Sequence, residues 1–439
     1  MDTGDKLDRF GWAGQRDLGA GNVLFRMHLV LKGLYLRLSP NTRKTTASHN
    51  RYRLPAGATS PTTPPLQAVI KHFRYLIPSL TMASIDGASG PSSYLDCATT
   101  TTEDADTLRR SRILSSMLYF DAPIIYSTSY DISFLGIEKL HPFDSSKWGR
   151  ICQFLIENGV LEKTHIVEPL EATKDDLLVV HSESYLKSLK SSLNVSIITE
   201  VPPVAVFPNC IVQKKVLYPF RKQVGGTILA AKLAKERGCA INVGGGFHHC
   251  CANRGGGFCA YADISLCIHY AFIRLNISRV MIIDLDAHQG NGHEKDFSDD
   301  RRVYILDMYN PYIYPLDYEA RRYIDQPVEV PSGTTTDEYL MKLDEALEVA
   351  GSAFDPELVI YNAGTDILDG DPLGRLRISP NGVAIRDEKV FRFANDKNIP
   401  LVMLTSGGYM KSSARVIADS IINLSKKSLI TMGGTPRTN

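Results

Sequence analysis

The 439-residue sequence lacks any apolar run approaching the roughly 20 residues that a helix needs to span a bilayer, so we expect no membrane segment. It also lacks an excess of charge. The formal net charge of +1 argues against a protein that coats nucleic acid electrostatically. With 44% hydrophobic and 22% charged residues, the chain is long enough and apolar enough to form one large domain or two. These features favour a soluble globular protein with neither a membrane nor a direct nucleic-acid partner.

Closely paired cysteines are also missing. The eight cysteines are scattered, include no CxxC pair and follow no signal peptide, which is typical of a reducing compartment where thiols act as small core residues. Cys250, Cys251 and Cys259 lie near two histidines, but their spacing does not match that of the usual thiolate ligands of zinc. We therefore favour structural cysteines over a thiolate metal site.

Acidic residues are absent between Asp17 and Asp86, where lysine and arginine accumulate among serine, threonine and proline. This composition resembles an organelle transit peptide, although the opening "MDTGDKLD" does not suit one, and it is also typical of a disordered extension. We predict that residues 1–121 form an N-terminal extension that is disordered or serves targeting. Residues 122–425 would form the main domain and residues 426–439 a polar C-terminal tail.

From about Ala122, short apolar strands alternate with helices. Strands are predicted at 239–243, 280–285, 303–306, 357–361 and 400–404, and helices at 262–275, 336–350, 386–397 and 413–424. Continuously apolar strands that alternate with helices indicate a parallel sheet covered on both faces. We predict a single large α/β domain with three layers, α/β/α, and a mainly parallel sheet.

Polar side chains occur just beyond the carboxyl ends of four predicted strands: His248, His249, Asp286, His288, Asp366 and Tyr409. Open α/β sheets bind ligands at this edge. Because four separate segments show the same placement, we expect these side chains to share one site.

The stretch "DLDAHQGNG" carries Asp284, Asp286 and His288 at alternate positions, so the three side chains lie on one face where a strand ends. Together with Asp366, the last two would offer a divalent metal two oxygen ligands and one nitrogen. Three protein ligands with open positions is the pattern of catalytic zinc, which activates water and polarises a carbonyl group. The alternatives are a hydrogen-bonded structural cluster and, for Asp366 alone, a helix cap or turn residue.

Two glycine-rich stretches add groups for proton transfer. In "GGGFHHC", one of two adjacent histidines could take a proton from metal-bound water and return it to a leaving amine, while Asp284 orients the other. In "TSGGYMKSSAR", the hydroxyl of Tyr409 could donate to an oxyanion. The alternatives are packing roles for these rings. A phosphate-binding loop is disfavoured because the required lysine and glycine spacing are absent.

Five motifs, in order, resemble those of the zinc-dependent histone deacetylases: "GGGFHHC", "RGGGFCAYAD", "DLDAHQGNG", "NAGTDILDGDPLG" and "TSGGYMKSSAR". The residues within these motifs are most similar to those of the class IV branch, and the resemblance covers roughly residues 123–424. It implies the arginase/deacetylase fold, with residues 122–425 as the catalytic domain. It also implies removal of acyl groups from lysine side chains, with acetyl-lysine of histone tails as the expected substrate.

The resemblance implies a role for each motif residue. Zinc would be held by Asp286, His288 and Asp366. Catalysis would use His249 as general base and acid, His248 paired with Asp284, and Tyr409 on the substrate carbonyl. The acyl-lysine tunnel would be lined by Gly257, Phe258 and Tyr314.

The resemblance also implies a potassium ion near the backbone of "DLDAH", but Asp307 stands where class I members have serine. Asn291 stands where class I members have an aspartate that pairs with the second histidine, so we expect His249 to be less basic than in those relatives. No counterpart of the class I rim aspartate, which grips the substrate backbone, is evident in the sequence.

Acylated lysines of histones or other proteins are the implied partners, together with chromatin corepressor complexes and a role in transcription regulation. We expect residence in nucleus and cytoplasm, with organelle import through the extension as the alternative. A fatty-acyl lysine or an acetylated polyamine is an alternative substrate. An arginase-like dimanganese enzyme would need another aspartate where Gln289 and Gly290 stand. A non-enzymatic acyl-lysine-binding scaffold would be expected to lack a catalytic residue, and none is missing.

Overall fold

The computed structural model describes residues 122–432, so the extension predicted at 1–121 and the end of the predicted tail lie outside the described residues. Eight strands form one sheet in the order β2-β1-β3-β8-β7-β4-β5-β6, and all neighbouring pairs run parallel. The strands are β1 (Ile124–Ile125), β2 (Ile166–Val167), β3 (Cys239–Asn242), β4 (Val280–Asp284), β5 (Val303–Tyr309), β6 (Gln326–Glu329), β7 (Leu358–Asn362) and β8 (Leu401–Leu404).

The α-helices surround this sheet. They are α1 (Lys147–Glu157), α2 (Lys174–Leu177), α3 (Glu183–Ser188), α4 (Ser192–Ile198), α5 (Asn209–Val212), α6 (Tyr218–Arg237), α7 (Asp263–Arg274), α8 (Asn291–Asp296), α9 (Thr336–Ala353), α10 (Pro380–Asp396) and α11 (Ser413–Lys426). Within residues 122–432, none of them has the length and apolar character needed to cross a membrane.

The two faces of the sheet contribute to two separate hydrophobic cores. Ile283 and Tyr361 point into one core together with residues of α1, α9, α10 and α11. Their neighbours Ile282 and Ile360 point into the other core, with residues of α6 and α7. Successive side chains of a strand face opposite ways, so strands buried on both faces must be apolar throughout. The predicted α/β/α architecture with a parallel sheet is confirmed.

The five predicted strands are present, whereas β1, β2 and β6 were missed. The first two have only two residues each, too few to show a period. Strand β6 contains Pro327 and lies at the edge of the sheet, where the missing N–H of a proline is tolerated. Helix α10 begins at Pro380, before the predicted start at 386, because the hydroxyl of Ser379 accepts the N–H of Gly382 at 3.0 Å.

The packed region continues past the predicted boundary at residue 425. Helix α11 ends at Lys426, and Leu429, Ile430 and Met432 are all buried. The backbone N–H of Ala122 also donates to the carbonyl oxygen of Thr431 at 2.8 Å. Residues 427–432 therefore belong to the folded domain, because their apolar side chains complete its core.

Four neighbouring strands carry the motif residues. In the sheet, β3, β8, β7 and β4 are consecutive, and the loops after these strands hold the two histidines, Tyr409, Asp366 and the "DAH" stretch. The carboxyl ends of parallel strands lie at the same edge, so these loops meet there.

Candidate active site

The three predicted metal ligands converge at this edge. The ligand atoms of Asp286, His288 and Asp366 lie within 4.8 Å of one another, and all three side chains are buried. His288 Nδ1 is 2.8 Å from Asp366 Oδ2 and 3.1 Å from Asp286 Oδ1. Two carboxylates and an imidazole make a donor set that fits a divalent cation such as zinc.

The charges of this cluster also fit a cation. Burial and the neighbouring Asp286 raise the pKa of Asp366 to about 7. Burial would raise the pKa of Asp286 too, but the charge of His248 and the hydrogen bond from His288 hold it well below its usual range. Two buried carboxylates so close together repel each other unless positive charge lies beside them. A bound metal ion would supply that charge.

Backbone N–H groups hold the carboxylates in place. Ala287 N donates to Asp366 Oδ1 at 2.8 Å, and Gly407 N donates to Asp286 Oδ2 at 2.9 Å. A Cβ atom at position 407 would lie 2.4 Å from Asp286 Oδ2, so only glycine allows this approach. The glycine turn before Tyr409 is therefore part of the support of the metal ligands.

The two adjacent histidines have different partners. Their ring centroids are 4.1 Å apart, and His248 Nδ1 lies 2.9 Å from Asp284 Oδ2. Burial lowers the pKa of His248, but the charges of Asp284 and Asp286 outweigh burial and raise it to about 9. Burial and the charge of His248 hold the pKa of His249 well below its usual range. A neutral His249 beside a charged His248 is suited to accept a proton.

Asn291 fixes the tautomer of His249. Its Nδ2 donates to Asp317 Oδ2 at 3.0 Å, which leaves its Oδ1 facing His249 Nδ1 at 2.9 Å. Because Oδ1 can only accept, Nδ1 carries the proton and Nε2 keeps its lone pair. Asn291 supplies no negative charge, which agrees with the low pKa of His249.

Asp284 is bound by more groups than the sequence indicated. Its Oδ2 accepts from His293 Nε2 at 2.8 Å as well as from His248, and its Oδ1 accepts from Asn362 Nδ2 at 2.9 Å. Against the effect of burial, the charge and hydrogen bonds of the two histidines hold the pKa of Asp284 well below its usual range. His293 and Asn362 were missed because their contacts with Asp284 depend on how α8 and β7 pack beside β4.

The predicted tunnel residues lie beside His249. The ring centroid of Tyr314 is 4.8 Å from that of His249. A Cβ atom at Gly257, where φ is +54°, would lie 2.6 Å from His249 Cδ2, so a larger residue would displace the histidine. Phe258 packs against Phe143 with ring centroids 4.9 Å apart. The rings of Tyr314 and Phe258 therefore place aromatic surface next to His249 and Phe143.

Tyr409 packs beside the predicted metal ligand His288. Its ring centroid is 5.9 Å from that of His288, and its backbone N–H donates to Asp371 Oδ2 at 2.9 Å. Burial, together with the charges of Asp366 and Asp286, raises the pKa of Tyr409 well above its usual value. The phenol therefore keeps its proton and can donate a hydrogen bond.

Lys147 is a buried cation that sequence analysis missed. Its Nζ contacts the carbonyl oxygen of Ser406 and, at 2.9 Å, that of Gly407, and lies 4.6 Å from the ring centre of Phe143. Burial lowers the pKa of Lys147 to about 8, although the nearby carboxylate of Asp286 opposes this effect. The lysine thus holds the turn that carries Tyr409. Nothing in the sequence around it signals this long-range contact.

A partly exposed carboxylate near Phe258 was also missed. His141 stacks on Phe258 with ring centroids 4.8 Å apart, and its Nε2 lies 3.9 Å from Glu200 Oε2. The side chain of Glu200 is partly exposed, and its φ of +56° is unusual for a residue other than glycine. No motif surrounds Glu200, so only the fold reveals its place beside His141.

Comparison with known proteins gives the family of the chain. The histone deacetylase domain family matches residues 141–424. Histone deacetylase 2 of Arabidopsis thaliana is 78% identical over 330 residues, which are 74% of this chain and 85% of that protein. Histone deacetylase 8 of Xenopus tropicalis is 26% identical over 265 residues, which are 57% of this chain and 70% of that protein.

Solved structures agree on the fold. The crystal structure of the HDA15 HD domain superposes with a TM-score of 0.59 at 21% identity, covering 72% of this chain and 91% of that one. A histone deacetylase homologue complexed with SAHA gives a TM-score of 0.56 at 22% identity, covering 71% and 84%. The predicted arginase/deacetylase fold is confirmed. Since the family match spans more than half of the sequence, the chain belongs to the histone deacetylase domain family of hydrolases.

Proposed function

We propose that this chain is a zinc-dependent lysine deacetylase that hydrolyses the amide bond of Nε-acetyl-lysine, with histone tails as substrate. One observation carries the proposal. A single cavity is lined by the metal-ligand candidate Asp286, the neutral His249, the protonated Tyr409 and the tunnel residue Phe258. A ligand site, a base, an oxyanion donor and a lysine channel together are what hydrolysis of an acyl-lysine requires.

The residues divide the chemistry among them. Zinc held by Asp286, His288 and Asp366 would lower the pKa of water and polarise the acyl carbonyl. His249 Nε2 takes the proton of the attacking water and returns it to the leaving lysine nitrogen. The hydroxyl of Tyr409 donates to the oxyanion that forms when water adds to the carbonyl.

The walls and mouth hold the substrate. Phe258 and Tyr314 enclose the aliphatic stem of the lysine, and Gly257 leaves room for it beside His249. Glu200, at the mouth, accepts a backbone N–H of the substrate polypeptide. This role rests on the partly exposed carboxylate beside His141.

Three finer assignments belong to the proposal. The residue sequences of the motifs support the class IV branch. A histone substrate would place the protein in nucleus and cytoplasm, with a role in chromatin complexes. A potassium ion near the backbone of "DLDAH" would gain a carboxylate ligand from Asp307. Burial and the charges of Asp284 and Glu294 raise the pKa of Asp307 well above its usual value, and its Oδ1 is buried without a hydrogen-bond partner.

The direct test measures acyl release from lysine peptides that carry acetyl, butyryl or myristoyl groups. We expect zinc-loaded protein to release acetate and a chelator to stop the reaction, with activity restored by added zinc. If myristate were released faster than acetate, the enzyme would be a de-fatty-acylase with the same mechanism. Two results would contradict the proposed mechanism: release of the acyl group in the presence of a chelator, or no release from any of the peptides by zinc-loaded protein.

We expect Lys147→Met to lower kcat by about 10- to 100-fold, because a small misplacement of Tyr409 is costly for catalysis. The change leaves two buried carbonyl oxygens without their donor, which should also lower the free energy of unfolding by about 1–3 kcal/mol. Steady-state kinetics, zinc content and urea unfolding would be measured on the same preparation.

Two further variants make the Lys147 test specific. Lys147→Arg keeps the charge and the donors and should recover part of kcat. Lys389→Met removes a partly exposed lysine that pairs with Asp344 and should leave kcat unchanged. A folded Lys147→Met protein with normal kcat would show that the lysine does not position the turn.

A further inference from the structure

Exposed apolar side chains concentrate around the tunnel mouth. Among residues 122–432, twelve large hydrophobic side chains are exposed. Six of the twelve belong to loops that flank the mouth: Leu135, Leu140, Val206, Tyr312, Leu316 and Tyr318. The other six are spread over α1, α4, α5, α9 and the loop before α2: Ile156, Leu170, Leu193, Ile211, Met341 and Val349. Such concentration at one place is typical of a binding surface.

One side of the mouth consists of two loops that pack on each other and on Phe258. The rings of Phe134 and Phe207 pack with centroids 4.7 Å apart, which joins the loops. His141 stacks on Phe258, and Phe258 N donates to the carbonyl oxygen of Ile198 at 3.0 Å. Three exposed side chains directly adjoin these contact residues in sequence: Leu135 (83% exposed), Leu140 (58%) and Val206 (81%).

The other side is the loop between β5 and β6, which carries Tyr314. A Cβ atom at Gly257 would lie 2.9 Å from Tyr314 Cε1, so this tyrosine faces the tunnel wall. Tyr312 and Leu316 lie two residues before and after Tyr314 and are 69% and 47% exposed. Tyr318 follows in the same loop and is 67% exposed. Apolar side chains are thus exposed on both sides of the opening.

The charged groups described near the mouth do not form an acidic surface. Glu200 stands beside His141. Asp317 is already engaged by Lys295 and by Asn291. Arg254 adds a positive charge that acts on the hydroxyl of Tyr314. A segment rich in lysine and arginine would need several unpaired carboxylates here, so the mouth is better suited to an uncharged segment.

We infer that the mouth selects a polypeptide in which the acyl-lysine is flanked on both sides by apolar side chains, a substrate class that replaces the lysine- and arginine-rich histone tail of the proposed function. The inference rests on the proposed deacetylase activity, because a lysine buried in the tunnel brings its neighbours onto these loops. In an extended peptide, residues are about 3.3 Å apart, so the first three residues on each side reach the flanking loops. Glu200 binds the peptide backbone, and the exposed apolar side chains contact the flanking side chains.

The test uses the full chain, loaded with zinc, and three peptides with the same central acetyl-lysine. Their flanking residues are leucine and valine, serine and glycine, or arginine and lysine. Binding is measured by fluorescence anisotropy of labelled peptides, and hydrolysis by kcat and KM. We expect the apolar peptide to bind about tenfold more tightly than the serine and glycine peptide, because burial of one or two aliphatic side chains provides a gain in affinity of this size. The basic peptide should bind most weakly.

Variants of the exposed side chains make the test specific to the mouth. The double variant Leu135→Ser/Val206→Ser should lose most of the preference for apolar flanks through KM. It should hydrolyse Nε-acetyl-lysine amide, which has no flanking residues, at the normal rate. Met341→Ser/Val349→Ser removes two other exposed apolar side chains, from α9, and should change neither the preference for apolar flanks nor the rate on Nε-acetyl-lysine amide.

The two readouts separate this inference from the proposed function. Tight, flank-dependent binding without hydrolysis would support the selective mouth and refute the deacetylase proposal. Hydrolysis at equal efficiency for all three peptides would overturn the inference and leave the deacetylase proposal standing. An equal loss in the mouth variant and the α9 variant would also overturn it.

Discussion

Asp286→Ala should yield a folded protein that neither retains zinc nor hydrolyses acyl-lysine. The change removes a charged ligand from a cluster whose three ligand atoms lie within 4.8 Å of one another. Loss of residues that only support metal ligands already weakens binding by about 10- to 100-fold, so loss of a ligand should weaken it further. Zinc per chain, measured after dialysis, and acetate release are the two readouts.

A matched control separates the loss of a ligand from the loss of a charge. Asp344→Ala removes an exposed aspartate that pairs with Lys389 and should leave zinc content and activity unchanged. Circular dichroism and the melting temperature of both variants would show that the fold persists. An Asp286→Ala protein with one tightly bound zinc and normal turnover would contradict the assignment of the metal site.

The local pattern of the sequence was sufficient to predict the edge of the sheet at which the site lies. Strand β4 is continuously apolar up to Ile283, and the polar groups begin where the strand ends. That abrupt change marks the carboxyl end of a buried strand, and the same change recurs in β3, β7 and β8. Because a parallel sheet brings these ends together, convergence of the side chains followed from topology alone.

The supporting contacts could not be predicted, because they join segments far apart in the chain. Lys147 reaches the Ser406–Gly407 turn from the start of α1, and the sequence around it reads only as a helix start. His293 binds Asp284 from a short helix, and Glu200 reaches the mouth from a loop. Their positions depend on how helices and loops pack over the sheet, which no spacing in the sequence encodes.

The two histidines show how supporting contacts determine chemistry. The motif "GGGFHHC" does not say which imidazole is the base. The surroundings make the distinction: the charges of Asp284 and Asp286 raise the pKa of His248, whereas burial and the charge of His248 lower the pKa of His249. The prediction from Asn291 that His249 is less basic than in class I relatives stays a prediction, because burial and the charge of His248 are what lower its pKa here. Its role as general base stays a prediction until kinetics test it.

Tyr409→Phe should separate catalysis from binding. The substitution keeps the ring and its packing against Phe143 and His288 and deletes only the hydroxyl, so fold and zinc content should persist. Loss of one oxyanion donor of this kind lowers kcat by about 10²- to 10³-fold. KM should change far less, because the hydrogen bond strengthens chiefly as the carbonyl oxygen becomes negative in the transition state.

The matched control for Tyr409→Phe is Tyr304→Phe. It deletes the hydroxyl of a tyrosine on β5 that donates to Gln326 and takes no part in the site, so kcat should stay normal.

The high pKa of Tyr409 also means that its hydroxyl stays protonated across the neutral range, so its contribution to kcat should not vary with pH there. The ratio of wild-type to Tyr409→Phe kcat should therefore be constant between pH values of about 6 and 9, an interval below the usual pKa of tyrosine. If the Tyr409→Phe protein retained full zinc content and nearly normal kcat, Tyr409 would be only a packing residue. The metal alone would then stabilise the oxyanion.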